Sequence, residues 1–165
     1  MRSVRPLGYS AAQISLHWLI AALVIFQLLL GDSMTHVVRA PIRDRVVSSF
    51  DASMGTAHYW VGIAILALVC LRLALRLLVG TPNPAGGPAP LVLLARIAHW
   101  TFYVLLVAVP ITGLLAYYQL GPFGGIHSLA KPIFIILIGL HAAAALFHQF
   151  FLKDGTLLRM LVPAR

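Results

Sequence analysis

Glutamate is missing from this sequence, and its only acids are Asp32, Asp44, Asp51 and Asp154. None of the four lies within a long apolar run. Intramembrane relays for protons or metal ions lean on carboxylates, so the shortage weighs against a transporter of that kind. Cysteine occurs once, as Cys70. A single thiol excludes an internal disulfide, a zinc site built from several cysteines and covalent haem attachment through a CxxCH motif. Charge is thin overall. Only 10% of the 165 residues are charged and 61% are hydrophobic, against about a quarter and about half in a soluble domain. The surplus apolar surface needs lipid as its solvent. A net charge of +8 would point to nucleic acid in a soluble protein. Here the basic residues flank apolar runs, so they read as topogenic charge and no nucleic-acid partner is expected.

What is present in quantity is long apolar sequence. Segments at roughly 11–30, 58–79, 96–118 and 131–152 each have about the 20 residues that a helix needs to cross a bilayer. Helices are expected, because isolated strands would leave backbone groups unpaired in lipid. The first segment follows Arg2 and Arg5 as a signal peptide would, but GDSMTH follows Leu30 in place of a small-residue cleavage site, so it reads as a retained span. The length suits one domain over 1–165. GTPNPAGGPAPL at 80–91 cannot continue a helix. QLGPFGG at 119–125 makes a short connection, and the fourth helix can begin straight after it. The longest connection is 31–57, containing RAPIRDR, and KDGTLLRM at 153–160 is expected along the interface.

Arg2, Arg5, Arg72, Arg76, Arg96, Lys153, Arg159 and Arg165 fall on one side of this pattern, and Arg39, Arg43, Arg45 and Lys131 on the other. Eight against four puts both termini in the cytoplasm. The predicted class is an all-α membrane protein, a bundle of four transmembrane helices.

Seven histidines remain to be explained: His17, His36, His58, His99, His127, His141 and His148. Polar groups in hydrocarbon are costly and are functional candidates by default. On one continuous helix, the fourteen residues from His127 to His141 return to within roughly 40° of the same direction, roughly 21 Å along the axis. One metal ion cannot bridge that distance, but two stacked haems could each take one imidazole. Matching depth pairs His58 with His127 and His17 with His141. Two axial imidazoles leave no open position for oxygen, so such a site passes electrons. Gly62 and Gly139 could admit a flat macrocycle, or serve ordinary helix packing.

The chain resembles the bacterial cytochrome b561 family over nearly its whole length. The likeness rests on QISLHWL at 13–19, His58-x-x-x-Gly62, ARIAHW at 95–100, VPITG at 109–113 and IGLHAAAALFHQFFLKDGTLLRM at 138–160. The resemblance implies a four-helix cytochrome with two b haems in the bacterial inner membrane. Their ligands would be His17, His58, His127 and His141. The cytochrome b subunits of membrane formate dehydrogenases and nickel–iron hydrogenases are similar in architecture. The superoxide oxidase branch is the best likeness within the family, and implies an oxidoreductase carrying electrons from periplasmic superoxide to ubiquinone. The connection at 119–126 is much shorter than that branch would have.

His148 lies two turns beyond His141, about 20° away in direction and roughly 10 Å in depth. With His99 it matches the family's quinone-site histidines, and imidazole can supply both hydrogen bonds and protons to a quinone. Interface placement of both is the bland alternative, and His148 replacing His141 on the iron is another. His36 reads as a loop residue. Trp18, Trp60 and Trp100 read as an interfacial belt. Arg72 and Arg76 suit phospholipid contact and orientation better than haem propionates or a quinone head, and Lys153 with Asp154 reads as solvated surface. Arg39, Arg43, Arg45 and Lys131 would steer an anionic donor, although plain loop charge is the better explanation of 39–45. The competing function is a haem-bearing anchor or electron-transfer subunit for a periplasmic redox protein or dehydrogenase.

Overall fold

The computed structural model describes residues 8–82 and 88–164. Among them there are helices and turns and no strand. Helix α1 runs Ala11–Arg39, α2 Ser49–Leu78, α3 Ala89–Tyr117, α4 Phe123–Ser128 and α5 Ala130–Phe147. A wider π-turn, His148–Leu152, extends α5. With α4 and α5 taken together, four helices are long and apolar enough to cross a membrane.

The helix ends follow local chemistry, not hydropathy. Ser10 caps α1 and exchanges hydrogen bonds reciprocally with Gln13, which satisfies two backbone donors at the helix start. Ser48 caps α2 by accepting from the Asp51 amide at 3.0 Å. Helix α1 continues past its apolar run through DSMTHVVR and gives way to a tight turn at Pro41. The connection expected over 31–57 is therefore only residues 40–48, and His36 stands on a helix, not in a loop. In the same way α3 begins at Ala89, inside the Pro/Gly stretch; residues 83–87 of that stretch lie outside the described residues. Polar residues can carry a helix beyond the lipid, because propensity varies little among ordinary residues and only Gly and Pro break it strongly.

The fourth span is not fully regular. Pro132 has no N–H for the Ser128 carbonyl, and Leu129 stands between α4 and α5. Leu129 keeps a right-handed helical conformation, so His127 and His141 still lie on one span, Phe123–Leu152, with a local irregularity between them.

The bundle has two ends. Tyr9 and Ala164 mark the proximal end, where the Ala164 amide donates to the Tyr9 carbonyl at 3.0 Å. Trp18 Nε1 donates to the Met160 carbonyl at 2.8 Å, folding the segment after α5 back along α1. At the distal end α1 passes into α2 and α3 into α4. Arg72, Arg76, Arg96, Lys153 and Arg159 lie on proximal segments, and Arg39, Arg43, Arg45 and Lys131 on distal ones. Arg2, Arg5 and Arg165 lie outside the described residues.

The protein core is small: Ile20 and Val24 of α1, Ile65 and Val69 of α2, and Ala130 and Phe134 of α5. The α3 side chains Phe102, Leu105 and Leu106 are partly buried against it. The lateral faces remain apolar and open, as expected where lipid completes the packing.

Trp18→Phe removes the donor to Met160 and should cost about 1 kcal/mol locally. Amide exchange over 158–164 should then quicken about fivefold while the centre of α1 is unchanged, as read by hydrogen–deuterium exchange.

Candidate functional site

Each end of the bundle brings imidazoles together from different helices. At the distal end His58 of α2 faces His127 of α4, with ring centroids 6.0 Å apart and planes at 88°. At the proximal end His17 of α1 faces His141 of α5 at 6.4 Å and 62°. Two imidazole nitrogens each about 2 Å from a shared metal put the ring centroids about 6.4 Å apart. Both pairs are close to that spacing.

The distal pair is held in detail. His127 Nδ1–H donates to the Val109 carbonyl of α3 at 3.0 Å. That bond sets the tautomer and leaves Nε2 free, the usual outer support of a metal-binding histidine. Gly113 lies beneath the same ring, where a Cβ would stand 2.8 Å from His127 Cε1. Gly31 plays the looser counterpart under His58, at 3.5 Å. Gln27 Nε2 donates to the His58 carbonyl at 2.8 Å, and Gln27 Oε1 and His58 Nδ1 are buried without partners. Around both rings is a cavity of about 700 Å³ whose walls include Val24, Gly62, Leu106, Gly113 and Phe134. Its volume lies within the range of cofactor sites, and the paired donors, the close glycine and the orphaned polar atoms fit a flat iron macrocycle there.

The proximal end has a third imidazole. His99 of α3 approaches His141 to 5.7 Å, and Phe102 packs on the same ring at 5.3 Å. His17 is at the ligand-pair spacing from His141 and His99 is closer than it. His148 is engaged elsewhere. Its Nδ1–H donates to Asp154 Oδ2 at 2.5 Å, with the two side chains 19% and 12% exposed. The structure therefore sets His141, not His148, against His17. Among the described residues no ring contact joins His99 to His148. No three His, Cys, Asp or Glu side chains among them gather as a bare-ion site would require.

Asp154 is not the solvated surface acid that its neighbour Lys153 suggests. Lys153 (φ 52°) and Gly155 (φ 71°) turn the chain sharply after the π-turn, and the Thr156 amide donates to Asp154 Oδ1 at 2.9 Å. Partial burial pushes the carboxyl up, but the hydrogen bonds from Thr156 and His148 outweigh it and bring it down to about 2. A depressed acid stabilises the fold above its ordinary range, near 3.9. That contribution is lost as pH falls through about 2, so the carboxylate persists at every physiological pH.

The remaining expected residues are placed as follows. Arg72 donates to the Gln13 carbonyl at 2.6 Å, and Arg76 lies over Trp100 and Tyr103, 5.6 Å from each ring centre. Both arginines therefore have protein partners. Lys131 pairs with Asp32 at 2.7 Å, while Arg39 lines the mouth of the distal cavity and Arg43 and Arg45 are exposed. His36 Nδ1–H donates to Asp51 at 3.3 Å. Trp60 packs on Tyr59, whose hydroxyl meets that of Tyr118 at 2.9 Å. A Cβ on Gly139 would meet nothing within 4 Å, and one on Gly62 would lie 3.4 Å from Gln27 Nε2.

The family model for prokaryotic cytochrome b561 matches residues 8–163. The chain belongs to that family. A Yersinia pestis protein named probable superoxide oxidase CybB is 34% identical, over 95% of this chain and 97% of the relative. A cytochrome b562 of Cereibacter sphaeroides is 36% identical over 94% and 96%. Cytochrome b561 homolog 1 of Escherichia coli is 28% identical over 93% and 96%. This is then a multi-pass bacterial membrane cytochrome of the electron-transfer type, and cytochrome b membership implies haem b.

Sequence reasoning did not identify Asp154 as the partner of His148, Val109 and Gly113 as the support of His127, or Gln27 beside His58. Gly113 was in view as the last residue of VPITG, without a physical role. The contact with His127 supplies one.

Gly113→Ala should overpack His127 at a cost of about 1–3 kcal/mol and lower the haem content of the purified cytochrome. Gly139→Ala, entering open space, should leave haem content unchanged and gain up to about 1 kcal/mol of helix stability. Pyridine haemochrome assays and thermal melts check both.

Proposed function

We propose that this cytochrome acts as one domain over 1–165, holding two haem b groups, one at each end of the bundle. It carries electrons across the inner membrane from a periplasmic donor, superoxide, to ubiquinone. The observation that carries the reading is the pair of opposed imidazoles at each end, His58 with His127 and His17 with His141, at 6.0 and 6.4 Å. His17 with His141 and His58 with His127 would hold the haems, which would supply one-electron chemistry and not oxygen activation. The orientation follows from the Lys and Arg count, with both termini in the cytoplasm and the distal end in the periplasm.

The balanced reaction oxidises two superoxide anions to two molecules of oxygen, while two electrons and two protons convert one ubiquinone to ubiquinol. The name of the Yersinia pestis relative supports superoxide as donor. So does charge: Arg39, Arg43 and Arg45 are exposed at the distal end, and a cationic face steers small anions. Lys131 contributes less to that field because Asp32 neutralises it. At the proximal end His99 and His148 serve the quinone, accepting and passing protons and hydrogen-bonding its oxygens.

A second reading has its own support. Ile42 and Val46 are 82% and 98% exposed in the distal connection and Phe50 is exposed beside them, which suits docking of a periplasmic redox protein. In that reading the same haems serve as an electron-transfer subunit.

His17→Ala or His141→Ala should remove the proximal haem, and His58→Ala or His127→Ala the distal one, halving the pyridine haemochrome signal per chain. One haem per intact chain would reject the pairing.

Stopped-flow mixing with superoxide should reduce the haem. Neutralising Arg39, Arg43 and Arg45 together should slow that step by up to about tenfold, the low end of steering effects, and flatten its salt dependence. Oxidation by added quinone should not change. An intact protein that superoxide does not reduce would sink the donor assignment and leave the docking reading in its place.

A further inference from the structure

The proximal end contains a device that the ligand pairs do not use. After Phe147 the helix widens into the π-turn His148–Leu152. Such widened turns are frequent at functional sites. Two left-handed residues, Lys153 and Gly155, then bring Asp154 back beneath the start of the turn. Its carboxylate is held from both sides: Oδ1 accepts from the Thr156 amide at 2.9 Å and Oδ2 from His148 Nδ1–H at 2.5 Å. Trp18 ties the following segment to α1 through the Met160 carbonyl. Gln149, next in the turn, keeps a buried amide oxygen without a partner.

We propose that Asp154 is the positioning residue for proton delivery to the quinone. It keeps His148 in the tautomer that carries its proton on Nδ1 and leaves Nε2 as the one working nitrogen. The proposal rests on the quinone reading of His148 given above. A neutral imidazole has one donor and one acceptor nitrogen, and the bond made by one decides the role of the other. With Nδ1–H committed to Asp154, Nε2 takes a proton from water at the proximal face and releases it to a quinone oxygen. Asp154 stays a carboxylate throughout, stabilising the imidazolium while Nε2 is loaded. Each ubiquinone receives two electrons by way of the cytochrome and two protons by two such cycles. After each cycle Nε2 has its lone pair back. Without the carboxylate the ring is free to rotate and to carry its proton on either nitrogen, so a share of the population presents the wrong one.

The test uses the full-length, haem-loaded protein in lipid nanodiscs, with Asp154→Asn and Asp154→Ala variants. The reduced protein is mixed with a short-chain ubiquinone over a concentration series while haem oxidation is followed. The maximal rate should fall by about tenfold or more, as when the orienting partner of a functional histidine is lost. The half-saturating quinone concentration and the haem spectrum should hardly move. In ¹⁵N-histidine spectra, the strongly hydrogen-bonded Nδ1–H of His148, assigned by its absence in His148→Ala, should disappear in both variants. A maximal rate that survives loss of that signal overturns the proposal, and so does a rate loss that comes with loss of haem. If His148→Ala slows quinone reduction and the Asp154 variants do not, Asp154 alone is excluded. If His148→Ala has no effect, the quinone reading of His148 falls and the role of Asp154 with it.

Discussion

Two imidazoles held about 6 Å apart, ring to ring, impose the strictest demand on this bundle. Neither pair lies on one helix. His17 and His141 join α1 to α5, and His58 and His127 join α2 to α4. Their separation therefore depends on the registers of four helices at once. An axial slip of one residue moves a side chain by about 1.5 Å and turns it by about 100°, enough to break either pair. The supports found around the distal pair answer that demand. The Val109 carbonyl holds one imidazole, Gly113 lets α3 come close enough to do so, and Gln27 ties the backbone of His58 to α1.

The same demand explains the modest core. A cavity of about 700 Å³ occupies the distal interior, so the apolar side chains that would fill a bundle are limited to a cluster between α1, α2 and α5. In water so thin a core would be marginal. In lipid the lateral apolar faces stay solvated by hydrocarbon, and the backbone satisfies itself within each helix. Stability is thereby released from the interior, which is left for redox chemistry.

The histidine pairs were legible because hydropathy sets each residue's depth and only a few imidazoles share a depth. The fourteen-residue spacing from His127 to His141 pointed to opposite ends of one span, which the structure keeps as a helix over Phe123–Leu152 with a local irregularity at Leu129, where Pro132 offers no amide. The helix ends were less legible. Apolar runs report contact with lipid, whereas α1 runs on to Arg39 before Pro41 and α2 already begins at Ser49 after its Ser48 cap. Asp154 was illegible for a different reason. Its partner is six residues away through a π-turn and a left-handed reversal, a path that regular helical periodicity does not describe. The side-chain environments of Arg72, Arg76 and Lys131 were also hidden, because each partner is set by tertiary contact.

The two ends differ in a way that suits opposite tasks. The distal end is open and cationic, with exposed Arg43 and Arg45 and with Arg39 beside the mouth of the cavity. A donor that gives up only an electron there needs access and attraction, and no proton has to move. At the proximal end the polar groups are engaged: Trp18 binds the returning segment, Arg72 and Arg76 are held by the Gln13 carbonyl and by two aromatic rings, and Asp154 holds His148. In the proposed reading a quinone is reduced here, which couples electrons to protons, and His148 would have to keep one orientation while its charge changes. A carboxylate that remains ionised well below neutral pH meets that need. The asymmetry in charge and hydrogen bonding is what the proposed direction, electrons entering at the distal end and leaving at the proximal one, would use.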